Sequence, residues 1–421
     1  MLWFFFCVAV LVLGYFTYGK IIEKIFVINP KRATPAYAMN DGVDYMPMSK
    51  TKIWLIQLLN IAGTGPIFGP ILGALYGPVA MLWIVIGCIF AGAVHDYFCG
   101  MLSIRNGGAT MPNLAGKFLG RPVKLFINVM ALILLLLVGV VFVASPAQLL
   151  STITMDIAGA TQSAMELGDV PIWPLLFLTI SCGALSGFHA TQTPLMARCA
   201  QNEKEGRFIF YGAMITEGVI ALVWCAVGLS FYENPQALQD AISAGSPSKV
   251  VYDSSLHFLG FIGGIFAVLG VVVLPITSGD TAFRAARLQL AEIFGLEQRT
   301  LVKRLYIAVP LFVLGFIVSK VDFSVLWRYF TWANQMTAMV MLWTAAGYLY
   351  RYKKFHWVCS IPAWFITTVC ATYLANNKIG FGLDYELSVY IGFAITVVCV
   401  ICFFAFLKPS EARDEDAYVT N

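Results

Sequence analysis

The sequence predicts an all-α polytopic membrane protein of about eleven transmembrane helices. One extra helix at the amino terminus precedes two sets of five, related as an inverted repeat, each set opening on a broken helix. Three observations predict this. Hydrophobic residues make up 59% of the 421 and charged residues 12%, against about 25% charged in an ordinary globular chain. The apolar residues fall in blocks long enough to cross about 30 Å of hydrocarbon. Two of those blocks carry glycine, proline and polar residues where a spanning helix should run on.

The first block, within residues 2–19, lacks a basic segment ahead of it, and Lys20 and Lys24 follow it. It therefore reads as a retained span rather than a cleaved signal. The Pro-rich stretch "NPKRATPAYAMNDGVDYMPMSK" cannot be one helix and is expected to run along the cytoplasmic face. The remaining spans fall at about 51–76, 79–104, 122–150, 172–189, 206–232, 257–276, 300–319, 323–350, 356–375 and 386–407. This divides the chain into an amino-terminal helix and loop (1–50), a first five-helix repeat (51–232), a second (257–407) and an acidic tail (408–421) expected to be disordered.

Charge placement orients the chain. Alternate connections hold 23 Lys and Arg on one side and 3 on the other, with Arg328 inside a span. By the positive-inside rule the amino terminus is outside and the carboxyl terminus cytoplasmic. Nothing in this pattern points to nucleic acid, and nothing sets an oligomeric state. Ten cysteines are scattered without disulfide or zinc spacing, and "CVIC" (Cys399–Cys402) lies within an apolar span, where small packing residues are the plain reading.

The first interruption is "NIAGTGPIFGP", Asn60 to Pro70, with three glycines and two prolines between Gly63 and Pro70. It begins ten residues into its span, about 15 Å deep at 1.5 Å per residue. Irregular backbone at that depth must be enclosed by protein or line a wet cavity. Two half-helices meeting inside a bundle are expected, the second starting near Pro66. Its free N–H groups, around Gly63, Thr64, Gly65 and Ile67, would form an anion site. A kinked structural helix is the bland reading, and Gly69, Gly73 and Gly77 also fit close helix packing. The second interruption is read at "LPITSGDTAFRAAR", Leu274 to Arg287, in the seventh span. With the first span set aside, the two breaks then open each set of five, the pattern of an inverted-repeat transporter.

Ionisable groups inside spans cost at least about 2.5–3.5 kcal/mol and are functional candidates. His95 and Asp96 stand in the third span, where an adjacent pair can carry or gate a proton. His189 ends the fifth span among Thr191, Gln192 and Thr193, suited to an inner vestibule or an interfacial cap. Glu217 lies near mid-depth of the sixth span with no basic residue within a turn. Asp280 and Arg284 stand at i,i+4, as a gate or a surface pair. Arg328 lies in the outer part of the ninth span, with Asn334 and Gln335 near its middle. HExxH is absent and the four histidines stand on separate segments, so no enzyme, cofactor or metal is expected. Convergence of His95, Asp96, His189 and Asp280 on one metal is the alternative, without ligand spacing to support it.

The stretches "DGVDYMP", "NIAGTGPIFGP", "LWIVIGCIFAGAVHDY", "SGFHATQTPLMARCAQNEKEGRFIFYGAMITEG", "LPITSGDTAFRAARL" and "WRYFTWANQ" resemble the carbon-starvation protein A (CstA) family. They run from Asp41 to Gln335, about three quarters of the chain, which resembles a compact form of longer relatives. The resemblance implies an inner-membrane transporter of peptides or small carboxylates such as pyruvate, related to LeuT/APC-like broken-helix carriers.

The residues then take expected roles. Gly63, Thr64, Gly65 and Ile67 would meet a substrate carboxylate, with Asn334, Gln335 and Arg328 as further contacts. His95, Asp96, His189, Glu217, Asp280 and Arg284 would carry coupling or gating. The expected partners are the small-molecule substrate, the lipid bilayer, and protons or another coupling ion. A passive channel and a metal-dependent sensor or enzyme are the alternatives.

Overall fold

The computed structural model describes residues 2–155, 171–298 and 300–410. The expected 151–171 connection, Arg299 and the acidic tail fall wholly or largely outside them. Among the described residues there is no strand, and seventeen α-helices follow one another. In order they are α1 (Leu2–Phe16), α2 (Tyr18–Phe26), α3 (Pro35–Ala38), α4 (Lys50–Ile61), α5 (Gly65–Gly73), α6 (Val79–Gly87), α7 (Ala93–Arg105), α8 (Met111–Leu119) and α9 (Arg121–Met155). Then come α10 (Ile172–Thr179), α11 (Phe188–Ala197), α12 (Gly212–Ser230), α13 (Pro235–Phe294), α14 (Leu301–Val318), α15 (Phe323–Arg351), α16 (Trp357–Asn376) and α17 (Tyr385–Phe406).

Every expected span coincides with helix. By length and composition, eight helical stretches among the described residues can cross a membrane, and the bent α4–α5 pair makes a ninth. The other two expected spans are α15 and the α10–α11 segment, which fall short of that apolarity for a physical reason. A helix must be apolar where it meets lipid, and α15 meets protein instead. It buries Thr331, Asn334, Gln335, Thr337 and Thr344. Peripheral α14 and α17 show the opposite pattern, exposing Phe312, Phe316, Tyr390, Phe393 and Ile401.

The two expected interruptions fare differently. At Ala62–Thr64 the chain leaves helical geometry, and α4 and α5 meet at 52°. Leu274–Arg287, by contrast, is unbroken helix. The non-helical points of α13 are Gly245, Ser246 and Gly260, well before it. Pro275 has no backbone donor for the Val271 carbonyl, and the Thr277 and Ser278 hydroxyls turn inward to the Leu274 carbonyl at 2.7 and 3.2 Å. Pro275 is buried, and a helix enclosed by neighbours tolerates one missing bond. The expected Asp280–Arg284 pair is also absent. Arg284 Nη2 meets Asp44 at 3.3 Å instead.

The second true break is in the fifth span, where Ile180–Gly187 separates α10 from α11. The first set of five thus opens on a broken helix, while the seventh span leaves helical geometry at Gly260, near its start, and not at Leu274–Arg287.

At the end of α7 a buried ion cluster ties the chain beyond α2 to the bundle. Glu203 accepts from Arg105 at 3.0 and 2.9 Å and from the Asn29 amide at 2.7 Å. The Arg105 guanidinium also stacks 3.8 Å from the Phe26 ring centroid and donates to the Tyr348 hydroxyl at 2.7 Å.

Candidate functional site

The two breaks pack against each other. A Cβ on Gly65 would lie 2.3 Å from Cys182 Sγ, and one on Gly69 2.8 Å from the Thr179 carbonyl oxygen. At Gly69 backbone meets backbone, and at Gly65 the Cys182 side chain fills the space a Cβ would need. Gly183, at φ +88°, turns the second break under Ala221 of α12.

A helix that ends inside a bundle leaves carbonyls and amides without partners. Side chains from three other helices supply them here. Gln335 Nε2 donates to the Phe177 carbonyl at 2.9 Å, and Trp83 Nε1 to the Ile180 carbonyl at 3.1 Å. Asn334 Oδ1 accepts the Phe188 amide at 2.8 Å, which caps α11. Glu217 Oε1 accepts the Gly183 amide at 3.1 Å.

The same Glu217 connects to a line of fully buried titratable groups. Its Oε2 lies 3.4 Å from His189 Nε2. His189 Nδ1 lies 2.9 Å from Asp96 Oδ2, and Asp96 Oδ1 lies 2.8 Å from His95 Nδ1. Among the described residues His95 Nε2, His189 Nε2 and Glu217 Oε2 have no hydrogen-bond partner, so His189 and Glu217 meet at ion-pair distance without a hydrogen bond. Asp96 thus holds one imidazole on each oxygen, and histidine is the side chain whose charge changes most readily near neutral pH.

Two π-helical turns set this line in place, Cys88–Gly92 ahead of α7 and Arg207–Tyr211 ahead of α12. The Tyr211 hydroxyl of one donates to the Ile89 carbonyl of the other at 3.0 Å. Such turns often mark functional sites.

Cavities flank the crossing. One, of about 540 Å3, reaches Phe68 and Leu72 of α5, Trp327 of α15 and Asp322. Another, of about 450 Å3, is walled by Thr191, Pro194 and Arg198 of α11 and by Gln289 of α13. Between them runs a row of buried rings: Phe68 and Trp327 at 6.1 Å, Trp327 and Phe330 at 5.4 Å, Phe330 and Phe142 at 6.0 Å, Phe142 and Phe188 at 5.7 Å.

The residues expected to act divide accordingly. His95, Asp96, His189 and Glu217 come together in one chain. Asn334 and Gln335 meet the second break and hold its backbone. Gly63, Thr64, Gly65 and Ile67 are buried at the first break, where Thr64 Oγ1 lies 3.4 Å from Ser145 Oγ and a Cβ on Gly63 would strike Phe142. The cavity meets α5 a turn further on, at Phe68 and Leu72. Arg328 is half-exposed, and among the described residues no hydrogen bond or ion pair engages its side chain. Asp280 and Arg284 line a separate rim pocket with Asp44. Asp280 is therefore apart from His95, Asp96 and His189, and the four-residue metal alternative fails on that separation. Among the described residues no group of three or more His, Cys, Asp or Glu is arranged to hold a metal. Sequence reasoning did not single out Gly183, Trp83, Ser145, Ile89 or Tyr211. The signal for Gly183 was present in "ISCGALSG", where two glycines and two serines crowd eight positions.

Known proteins bear on this arrangement. Residues 382–408, around α17, match a single-transmembrane-helix model. An uncharacterized membrane protein of Haemophilus influenzae is 62% identical over 352 residues, covering 58% of this chain and 95% of its own. The peptide transporter CstA of Escherichia coli is 25% identical over an alignment of 572 residues, 89% of this chain and 81% of its own. The pyruvate/proton symporter BtsT of Escherichia coli is 25% identical over 336 residues, 51% of this chain and 47% of its own. The model described as Carbon starvation protein CstA matches residues 1–161 and 126–244, which take in the first break, both π-helical turns and all four members of the buried chain. On that match, more than half its length, the chain belongs to the carbon starvation protein CstA family.

Proposed function

We propose that this protein is a secondary active importer of peptides or small carboxylates such as pyruvate, driven by protons and working by alternating access. We place it in a bacterial-type inner membrane, amino terminus outside. The observation that carries the reading is the double attachment of Glu217. One oxygen holds the Gly183 amide of the second break, and the other faces His189 and so Asp96 and His95. A carboxylate accepts an amide hydrogen bond about twice as strongly as a neutral group does. Protonating Glu217 therefore loosens the break, and deprotonating it fixes the break again. Proton arrival along His95, Asp96 and His189 thereby becomes a change in backbone freedom at the crossing of two half-helices.

The two cavities are sized for a small ligand, within the usual range of about 300–1,000 Å3. The buried aromatic row between them favours a carrier over a passive channel, because a conducting pore needs a continuous wet path. Substrate would enter beside Phe68 and Trp327 and leave beside Thr191 and Arg198. The names of the peptide transporter and of the pyruvate/proton symporter support the substrate classes and the coupling ion.

The test is uptake by the purified protein in liposomes, using labelled dipeptides and pyruvate under an imposed proton gradient. Accumulation that collapses with a protonophore is expected. Uptake indifferent to the gradient overturns the coupling, and ohmic conductance overturns the carrier.

A further inference from the structure

Where α13 passes α14 at the rim rich in basic residues, the guanidiniums of Arg284, Arg287 and Arg304 line one pocket of about 410 Å3. Of the three, and among the described residues, Arg284 alone meets a carboxylate, Asp44 at 3.3 Å. The other two share a neutral residue. Arg287 Nη1 donates to Gln298 Oε1 at 2.6 Å, and Arg304 Nε donates to the Gln298 carbonyl at 2.7 Å. Asp280 also lines the pocket, and among the described residues it forms no ion pair. Cationic charge is thus gathered here beyond what the neighbouring carboxylates neutralise, and two arginines are oriented by one glutamine.

The rest of the wall is apolar and opens sideways. Phe283, Leu311 and Phe312 line it, and α14 continues from it with Val309, Phe312, Val313 and Phe316 exposed. A site for a soluble solute has no use for an apolar strip running along a lipid-facing helix. A lipid needs both parts, a cationic cradle for its headgroup and a greasy track for its chain. Guanidiniums match phosphate oxygens with paired hydrogen bonds, and basic pockets between membrane helices hold anionic headgroups.

We propose that this pocket binds the phosphate headgroup of an anionic phospholipid, with Arg287 and Arg304 as its principal donors and an acyl chain laid along α14. The site is separate from the buried chain of His95, Asp96, His189 and Glu217 and does not rest on what is transported.

The test uses the full chain, purified in mild detergent. Native mass spectrometry counts phospholipid retained through delipidation, and thermal unfolding is followed with added phosphatidylglycerol, phosphatidylcholine or inorganic phosphate. Retained phosphatidylglycerol and a raised Tm with that lipid alone are expected, both lost in R287A/R304A and partly kept in R287K/R304K. If the double alanine variant does not fold, R304A carries the test, since Arg304 is exposed, and a weaker phosphatidylglycerol shift is expected. Equal stabilisation by phosphatidylcholine overturns the proposal, as does an unchanged phosphatidylglycerol response in the alanine variants. A shift reproduced by inorganic phosphate overturns the lipid assignment in favour of a soluble-anion site.

Discussion

Glu217 accepts the amide of Gly183 at 3.1 Å, so a side chain of α12 completes the backbone of a segment that has left helical geometry. The bond crosses from a rigid helix to the one part of the fifth span that can rearrange.

The bond separates two substitutions that are often treated alike. In Glu217→Gln the amide oxygen can still accept from Gly183, so folding is kept while the titratable group is gone. Counterflow exchange should persist and proton-driven accumulation should be abolished. Glu217→Ala leaves the Gly183 amide buried and unpaired, at about 1–3 kcal/mol. Its Tm should fall where that of the glutamine variant holds. Equal accumulation in wild type and Glu217→Gln would sink the relay.

Gly187 touches α15 backbone to backbone. A Cβ there would lie 2.1 Å from the Asn334 carbonyl oxygen and 2.3 Å from the Ala338 nitrogen, neither of which can rotate away. Gly187→Ala should destabilise by about 3 kcal/mol or more, the upper range for overpacking. Gly270, inside α13 with nothing within 4 Å, is the internal control. Gly270→Ala should be neutral, or stabilise by up to about 1 kcal/mol through helix propensity. Thermal unfolding in detergent compares the two.

Phe330 joins Trp327 to Phe142 in the aromatic row. Shortening it should open the way from the Trp327 cavity to Cys182, which is 1% exposed. Phe330→Ala should raise the rate of maleimide labelling at Cys182 severalfold, read by mass spectrometry of that peptide. Unchanged labelling would mean that the row is packing and not a barrier.

Glu203 anchors Arg105 and the Asn29 amide. Glu203→Ala should cost about 3–5 kcal/mol, as expected when one partner of a buried pair is removed. The loosened end of α2 and the chain beyond it should show earlier hydrogen exchange at residues 18–30, while Lys303→Ala, at an exposed pair, should change neither readout.

The sequence disclosed most where local chemistry is extreme. Gly63 and the Gly65–Pro66 helix start mark the place where α4 gives way to α5, and the 52° bend is there, while α5 itself runs on through Gly69 and Pro70. Leu274–Arg287 looked similar because Pro275 stands beside polar residues, yet one missing backbone donor does not break a helix that its neighbours enclose, and the Thr277 and Ser278 hydroxyls fold back onto the Leu274 carbonyl. The Ile180–Gly187 break was overlooked because its glycines and serines also read as ordinary packing residues. What stabilises it comes from Trp83, Glu217, Asn334 and Gln335, whose bonds span 34 to 158 residues along the chain. His95, Asp96, His189 and Glu217 each stood out as costly inside lipid. That they share one line depends on how helices rotate against each other, which no local pattern encodes.

That rotation has a source in the π-helical turns stitched together by Tyr211 and Ile89. Each turn takes up one surplus residue in a wider coil, so the helix on either side keeps its phase. Excising one residue from 88–92 would return that coil to ordinary α-helix and shift the Ile89 carbonyl that the Tyr211 hydroxyl meets. The proposed relay thus leans on a single phenolic hydroxyl that fastens one widened coil to another, a clasp with no titratable part of its own in the circuit.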